Sequence, residues 1–405
     1  MNNFKTTTLE NGLKVSALIN KDSPATSLGY FVNTGSRDET MAEHGLSHFL
    51  EHMLFKSTKN LNAYDLTMAL ADQGVQANAY TSAEMTVYYG RVIKQNSLSY
   101  LKILSDMMQP ALLEEDFITE KKVILEEISM CDDQPNSVLY EKSKSSFYKG
   151  HSLAKSVIGT SESVSSLTIE QMRDYFNRRY TSRNMNLFAC GNFDWEEFLQ
   201  KTNEYTKDFC LNDITKREKV INTFSSETKE FKYPNLTQSR ISYMIQGVDN
   251  FSKDKYALEL LMLILASSSN SKLYWELVDN SLADYAAGYS YPQYDNGTII
   301  LNASCDSKNI DKVKLGFEKV LKNAFNFTQE EFNTAKTKIL SSICFGLEGT
   351  MGQLMSLAVE FSETSEFVSE NELINIYKNI SLKDVLALKD KIDFNNFGCY
   401  QLISS

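Results

Sequence analysis

Residues 43–55 of this 405-residue chain read EHGLSHFLEHMLF, and three of its four histidines lie there, at His44, His48 and His52. The pattern predicts a helix over roughly residues 43–55, and at about 100° per residue its positions 48 and 52 lie one turn apart on the same face, with position 51 beside them. Two imidazoles so placed can bind one metal ion, while the Glu51 carboxylate reaches a water molecule on that ion. The alternative is a helix whose histidines are ordinary polar residues.

A zinc ion with two histidine ligands in a hydrolytic site needs a third protein ligand, usually Asp or Glu. The helix predicted over residues 114–131 offers a cluster of three carboxylates, Glu120, Glu126 and Glu127. Glu120 and Glu127 lie on nearly the same helical face, because seven residues make almost two full turns. The residues alone leave open which carboxylate binds the metal.

Four separated segments resemble the pitrilysin and mitochondrial-processing-peptidase family, which are zinc peptidases with an H-x-x-E-H signature. The similar segments are residues 45–58, Asn78–Thr81, the helix with Glu120 and Glu127, and residues 183–192. Chance does not readily produce such agreement in four places. The resemblance implies that the chain is a zinc-dependent endopeptidase that hydrolyses unfolded peptides.

The same resemblance assigns a role to each matching residue. It implies one Zn²⁺ per chain, bound by His48, His52 and Glu127. Glu51 is then the general base on the zinc-bound water. Glu120 is implied to be a supporting catalytic carboxylate, for which a plain surface salt bridge is the alternative.

The stretch at Asn78 and Ala79 resembles the family's substrate-binding edge strand, where an extended peptide adds itself through main-chain hydrogen bonds. An ordinary strand end is the alternative. In the second half, many members carry an Arg and, further along, a Tyr that stabilises the oxyanion. Here Tyr285 keeps the Tyr position, but Val278 occupies the Arg position, and residues 267–271 (SSSNS) replace a glycine-rich stretch. These departures leave open whether one chain alone assembles a complete active site.

Alternating strand-like and helical patterns predict an α+β fold. Asn11-Gly12 between two β-prone runs predicts a hairpin at the start. After a polar, irregular stretch at residues 201–223, interpreted as a linker, the order of elements begins again, which indicates duplication of a whole domain. We therefore predict two homologous domains, each a mainly antiparallel β-sheet covered by helices. They are a zinc-binding catalytic domain at residues 1–210 and a non-metal domain at residues 220–405.

By resemblance, family members of this length pair, and two chains enclose a chamber. We therefore expect a homodimer that receives peptide substrates in that chamber. One alternative is a catalytic subunit in a heterodimer, where a related chain supplies the Arg that Val278 replaces. Another alternative is a noncatalytic scaffold subunit, against which the intact set of metal ligands and general base argues.

Composition and charge exclude other classes of protein. The formal net charge is -11, and no cluster of Lys and Arg follows a phosphate backbone, which argues against a nucleic-acid partner. No apolar run approaches the roughly 20 residues that a membrane span needs. The N-terminus lacks the pattern of a secretory or transit signal, so we expect a cytoplasmic protein. The six cysteines include no C-x-x-C pair and are expected to be thiols rather than disulfides.

Overall fold

The computed structural model of the chain describes residues 4–213, 217–220, 224–267 and 269–405. These residues form strands that belong to two sheets. The strands are β1 (Phe4–Thr8), β2 (Lys14–Ile19), β3 (Ala25–Val32), β4 (Gln76–Thr81), β5 (Thr86–Ile93), β6 (Met185–Gly191), β7 (Thr228–Tyr233), β8 (Ser239–Gln246), β9 (Tyr285–Pro292), β10 (Gly297–Cys305) and β11 (Phe397–Ser404).

Helices surround both sheets. They are α1 (Leu46–Met53), α2 (Ala63–Asp72), α3 (Ser97–Met107), α4 (Glu114–Asp132), α5 (Pro135–Phe147), α6 (Ser161–Ser166), α7 (Ile169–Arg179), α8 (Trp195–Thr206), α9 (Asp254–Ala266), α10 (Ile310–Lys322), α11 (Gln329–Gly346), α12 (Thr350–Gln353), α13 (Val359–Thr364), α14 (Glu370–Asn379) and α15 (Leu382–Leu386). Two further turns, Tyr274–Val278 and Leu354–Ala358, are π-helical. Among the helices of the described residues, none combines the length and the apolar character that crossing a bilayer requires.

Apart from β1, which has no counterpart among the described strands of the second sheet, the two sheets share one topology. The strand order is β1-β2-β6-β3-β5-β4 in the first sheet and β7-β11-β8-β10-β9 in the second. Each has one parallel pair, β2 with β6 and β7 with β11, and the other neighbouring pairs are antiparallel. The predicted α+β fold with two mainly antiparallel sheets covered by helices is therefore confirmed. The predicted hairpin is the β1–β2 pair, whose turn contains Gly12 at a φ of +79°.

The chain forms two compact units that do not follow chain order. The first unit comprises Met1–Ser129, Lys155–Glu218 and Gly346–Ser369, and the second comprises Met130–Ala154, Lys219–Phe345 and Glu370–Ser405. Helix α5 packs on β8 and β11 in the second unit, whereas α12 packs on β3 and β6 in the first. The domains predicted from the sequence, at residues 1–210 and 220–405, are continuous ranges, whereas each observed unit also includes a segment from the other half of the chain.

The predicted linker at residues 201–223 needs a correction at its start. Helix α8 extends to Thr206, because Phe198, Thr202 and Thr206 are buried at helical spacing. Residues 214–216 and 221–223 of the predicted linker lie outside the described residues. Ser268, within the SSSNS stretch, also lies outside them.

Strand β3 is buried on both faces because each face contributes to a different core. Leu28 and Tyr30 point into the large core of the first unit. Phe31, on the opposite face, packs with Leu354 and Phe361 from the exchanged segment. Burial of one such aromatic side chain contributes about 1.5–3 kcal/mol. The exchanged segment therefore covers the face of the first sheet that would otherwise expose apolar side chains.

Candidate metal centre

Helix α1 is shorter than the helix predicted at residues 43–55 and has two chemically different faces. Gly45 is its N-cap residue, with a φ of +95°, and residues 41–43 form a separate 3₁₀ turn. The apolar face of α1 is fully buried in the core of the first unit; it consists of Leu46, Phe49, Leu50 and Met53. This packing fixes the helix, so that the remaining face presents His48, Glu51 and His52 as a rigid group.

Three potential ligand atoms converge between α1 and α4. The Nε2 atoms of His48 and His52 lie 3.8 and 3.6 Å from Oε2 of Glu127. All three ligand atoms lie within 4.8 Å of one another, and no other such cluster occurs in the described part of the chain. Zinc bonds of about 2.0–2.2 Å in a tetrahedron separate the ligands by roughly 3.3–3.6 Å. The side chains therefore fit a zinc ion after small movements.

Glu120 is the hydrogen-bond partner of a potential ligand. The Nδ1–H of His52 donates to Oε1 of Glu120 at 2.9 Å, and Lys56 pairs with the other carboxylate oxygen at 2.5 Å. In the neutral ring, Nδ1 carries the proton, so Nε2 of His52 has its lone pair for a metal. Glu120 is only 4 % exposed, so its salt bridge with Lys56 is not the surface pair considered from the sequence.

The charges around this pair explain its pKa shifts. Burial is the largest single influence and opposes the charged form of both groups, but the hydrogen bonds and the neighbouring opposite charges together outweigh it. The pKa of His52 is therefore raised, and the pKa of Glu120 is lowered by His52 and Lys56 together. The carboxylate of Glu120 stays ionised and orients the imidazole ring.

His48 differs from His52 in its environment. Burial, with a contribution from the neighbouring His52, lowers the pKa of His48 to about 4, so its imidazole is neutral at physiological pH. A neutral imidazole is the form that binds a metal. Its Nδ1 atom is buried and has no hydrogen-bond partner among the described residues. The helix backbone and packing, rather than a partner group, must therefore hold this ring.

Glu51 lies beside the three potential metal ligands but is not one of them. The Thr81 hydroxyl donates to Oε2 of Glu51 at 2.5 Å. Burial raises the pKa of Glu51, and the bond from Thr81 partly opposes that shift. Sequence reasoning missed Thr81, because this contact joins residues on different elements. The Asn-Ala-Tyr-Thr motif contained the residue, but its spacing gave no sign of the hydroxyl's partner.

A buried carboxylate on the preceding segment holds the N-terminus of α1. Glu39 is 4 % exposed, and its two oxygens accept the main-chain N–H groups of Gly45 at 2.9 Å and Ser47 at 2.7 Å. Burial outweighs these bonds and raises the pKa of Glu39 to about 7. A side chain on Gly45 would approach Gly159 to 3.0 Å. The Nε2 atom of His44 bonds the carbonyl oxygen of Ser156. Glu39 was not predicted from the sequence. His44 provides none of the three ligand atoms.

Asn78 and Ala79 lie on β4, the last strand of the first sheet. They pair with Tyr89 and Tyr88 of β5, and the opposite edge of β4 has no strand neighbour among the described residues. The main-chain N–H of Ala79 points to that open edge, where it donates to the side chain of Asn78 at 2.9 Å. The two residues are therefore at an exposed sheet edge.

Tyr285 and Val278 belong to the second unit. Tyr285 is the first residue of β9 and is 51 % exposed, and Val278 ends the π-helical turn Tyr274–Val278. The contribution of Tyr285 to catalysis stays a prediction. His151 is buried in the second unit, where its Nδ1 accepts a hydrogen bond from the main-chain N–H of Leu153.

Comparison with known proteins identifies both halves of the chain. Residues 15–161 match the family model "Insulinase (Peptidase family M16)", and residues 166–339 match "Peptidase M16 inactive domain". An uncharacterized zinc protease of Rickettsia bellii is 28 % identical over 398 residues, covering 96 % of this chain and 95 % of the relative. The mitochondrial-processing peptidase subunit beta of Neurospora crassa is 25 % identical over 404 residues, covering 96 % and 85 %.

Solved structures share the fold. A protease from Helicobacter pylori superposes with a TM-score of 0.90 at 21 % identity, over 99 % of each chain. A peptidase M16 inactive domain from Pseudomonas fluorescens gives a TM-score of 0.91 at 15 % identity, over 100 % of this chain and 98 % of that one. The sequence matches and the shared fold agree. The chain belongs to peptidase family M16, the pitrilysin and mitochondrial-processing-peptidase group of zinc peptidases.

Proposed function

We propose that the chain is a zinc-dependent endopeptidase with one Zn²⁺ bound by His48, His52 and Glu127. The observation that carries this proposal is the convergence of three ligand atoms beside an additional carboxylate, that of Glu51. Two imidazoles and one carboxylate are the donor set of hydrolytic zinc sites that keep one position open. The names of several relatives, zinc proteases, support the choice of metal.

The proposed reaction is hydrolysis of a peptide bond. When bound, zinc acts as a Lewis acid on the scissile carbonyl and lowers the pKa of its water. Glu51 takes one proton from the attacking water while the water oxygen bonds to the carbonyl carbon. The protonated Glu51 then gives that proton to the amine nitrogen as the C–N bond breaks. Glu51 returns to its carboxylate form, and the elements of water are divided between the two products.

The other proposed residues orient groups or bind substrate. Glu120 fixes the tautomer of His52, which is a positioning role. Tyr285 is proposed to donate its phenol to the oxyanion. We assign the zinc-binding catalytic role to residues 1–210 and the role of a homologous non-metal domain to residues 220–405.

Peptide substrates are proposed to bind along the open edge of β4, at Asn78 and Ala79. The outward N–H of Ala79 already occupies the place of a donor to an added strand, and only its neighbour's side chain must be displaced. Strand β4 contains no charged residue, and its counterpart in the second sheet, β9, contains none either, whereas the outer strand β7 contains Lys229, Glu230 and Lys232. Charges on an edge strand discourage pairing with another chain. An extended, unfolded peptide meets these requirements, and a folded protein does not.

We further propose that two copies of the chain enclose the substrate, in the cytoplasm. Val278, in place of the Arg expected by resemblance, favours one alternative: a heterodimer with a related chain. Light scattering on the pure protein should give about twice the mass of one chain. A strict monomer that cleaves peptides efficiently contradicts both assemblies, and an inactive, zinc-loaded homodimer that gains activity with a related chain favours the heterodimer.

The central test compares the wild-type chain with Glu51→Gln. Both should contain about one zinc per chain, and the variant should cleave a mixed peptide library about 10²- to 10⁴-fold more slowly, because proton transfer is lost. Zinc is measured by elemental analysis and cleavage by mass spectrometry. A Glu51→Gln protein with undiminished cleavage refutes the proposed base. A zinc-loaded wild-type chain without activity, alone or with a related chain, supports the scaffold instead.

A further inference from the structure

Thr81 joins the open sheet edge to the proposed general base. It is the last residue of β4, and its Oγ1 donates a hydrogen bond of 2.5 Å to Oε2 of Glu51 on α1. Among the described residues, no hydrogen bond to the other carboxylate oxygen, Oε1, is observed. One oxygen of the base is therefore held by the protein, and the other is left for a proton donor.

The backbone around Thr81 is held on both sides. Thr81 pairs with Thr86 in the β4–β5 ladder. The turn that follows is closed by a bond from the N–H of Ser82 to the carbonyl of Met85 at 2.8 Å, and the N–H of Arg37 donates to the carbonyl of Ala83 at 2.9 Å. A β-branched side chain on such a backbone has few χ1 conformations. The Thr81 hydroxyl is therefore a fixed point of the first unit.

A glutamate side chain without such a partner is much less ordered. Its terminal torsion is broad, and fixing the whole side chain costs up to about 2 kcal/mol of conformational entropy. A base that must meet a water molecule at hydrogen-bond distance loses rate when its carboxylate samples several orientations. Packing of α1 sets the position of the Glu51 backbone, but only a side-chain contact can set the orientation of its carboxylate plane.

We propose that Thr81 is a positioning residue for catalysis: its hydroxyl orients the carboxylate of Glu51 so that Oε1 faces the attacking water. This inference rests on the proposed peptidase function. Side chains of residues 79 and 81 leave the same face of β4, because strand side chains alternate. Strand β4, which is proposed to align the peptide, thus also aligns the Glu51 carboxylate. The peptide and the general base are therefore positioned by the same strand.

The test uses two substitutions of the same residue. Thr81→Val keeps the shape and removes the hydroxyl, whereas Thr81→Ser keeps the hydroxyl. We expect Thr81→Val to lower kcat by about 10- to 100-fold with KM within about twofold of wild type. Thr81→Ser should restore kcat to within about threefold of wild type. Thr86→Val is the matched control: it removes a neighbouring buried hydroxyl, which bonds the carbonyl of Thr34, and should leave kcat unchanged.

Two measurements separate positioning from damage to the fold. Zinc content and the thermal transition by circular dichroism should match wild type in both Thr81 variants. A peptide hydroxamate, whose hydroxyl donates to the general base, should bind about tenfold more weakly to Thr81→Val and normally to Thr81→Ser, as measured by calorimetry.

Several results overturn the inference. They are an unchanged kcat in Thr81→Val, a loss that Thr81→Ser does not restore, a rise in KM alone, and a loss of zinc that accounts for the lost rate. A zinc-loaded wild-type chain that is inactive both alone and with a related chain overturns the peptidase function itself, and the inference with it. If the wild-type chain is active and Thr81→Val has the same kcat, only the role of Thr81 is overturned.

Discussion

Helices α4 and α11 are the same structural element in the two units, with different chemistry. Three buried apolar positions correspond at a constant spacing: Phe117 with Phe332, Ile124 with Ile339, and Ile128 with Ile343. In each unit, a lysine one helical turn after the first of these positions donates to two main-chain carbonyls. This lysine is Lys121 in α4 and Lys336 in α11. The acceptors are Ser165 and Leu167 for Lys121, and Lys378 and Ile380 for Lys336.

The carboxylates are the part of this element that the second unit lacks. Ala335 occupies the place of Glu120, and Ser342 the place of Glu127. Helix α9, which follows β8 as α1 follows β3, contains no histidine. A buried carboxylate without a cationic or hydrogen-bonding partner destabilises a fold, so Ala at position 335 is the stable solution there. The apolar positions maintain the fold in both units, and a few polar positions distinguish the metal centre.

The largest expected effect comes from placing the second unit's residue in the first. Glu127→Ser removes the third ligand and should weaken zinc binding by about 1,000-fold or more, close to 4 kcal/mol, with loss of peptide cleavage. Competition with a chelator measures the affinity. Glu126→Ser, an exposed neighbour on the same helix, is the control and should bind zinc normally. Full zinc affinity in Glu127→Ser would show that the ligand assignment is wrong.

The reverse exchange should damage the second unit. Ala335 is buried, so Ala335→Glu places a carboxylate where the matching histidine is missing, at an expected cost of about 3–5 kcal/mol in unfolding free energy at pH 7. Ala335→Gln has nearly the same size and controls for crowding. Burial raises the pKa of the new carboxyl, so the difference between the two variants should be small below pH 4 and grow as the pH rises. Equal stability of both variants at pH 7 contradicts the comparison.

Glu120→Ala gives the first unit the residue type that the second unit has at position 335. The variant should keep the fold but bind zinc about 10- to 100-fold more weakly, since His52 loses the group that fixes its tautomer. Isothermal titration of the metal-free protein with Zn²⁺ gives the ratio. Glu120→Gln, which keeps an acceptor at the same place, should lose less. An unaltered affinity in Glu120→Ala leaves Glu120 as a structural partner of Lys56 only.

The smallest effect concerns the open edge of β4. Ala79→Pro removes an N–H that β5 does not use, so the sheet should persist and zinc should stay bound. Peptide cleavage should fall by about tenfold in kcat/KM, the equivalent of one main-chain hydrogen bond. Ala79→Gly keeps the N–H and is the control. Undiminished cleavage by a folded, zinc-loaded Ala79→Pro removes Asn78 and Ala79 from the proposed binding site.

Features that depend on neighbours in the chain could be predicted from the sequence. The spacing of His48, Glu51 and His52 puts them on one helical face wherever that helix lies. The β1–β2 hairpin follows from the Asn11-Gly12 pair, because Gly12 adopts a positive φ readily. Predicted helix ends were less accurate: α1 begins at Leu46, since Gly45 has a left-handed conformation that the hydrophobic pattern does not reveal.

Features that join distant elements were decided by the tertiary structure. The bond from Thr81 to Glu51 and the bonds from Glu39 to the N-terminus of α1 depend on how a strand, a turn and a helix pack together. The exchange of segments 130–154 and 346–369 between the units has the same origin. The amino-acid sequence determined which residues could bind a metal, because ligand type and helical spacing are local properties. Only packing decided which partners orient those residues, because burial brings together groups that no local pattern connects.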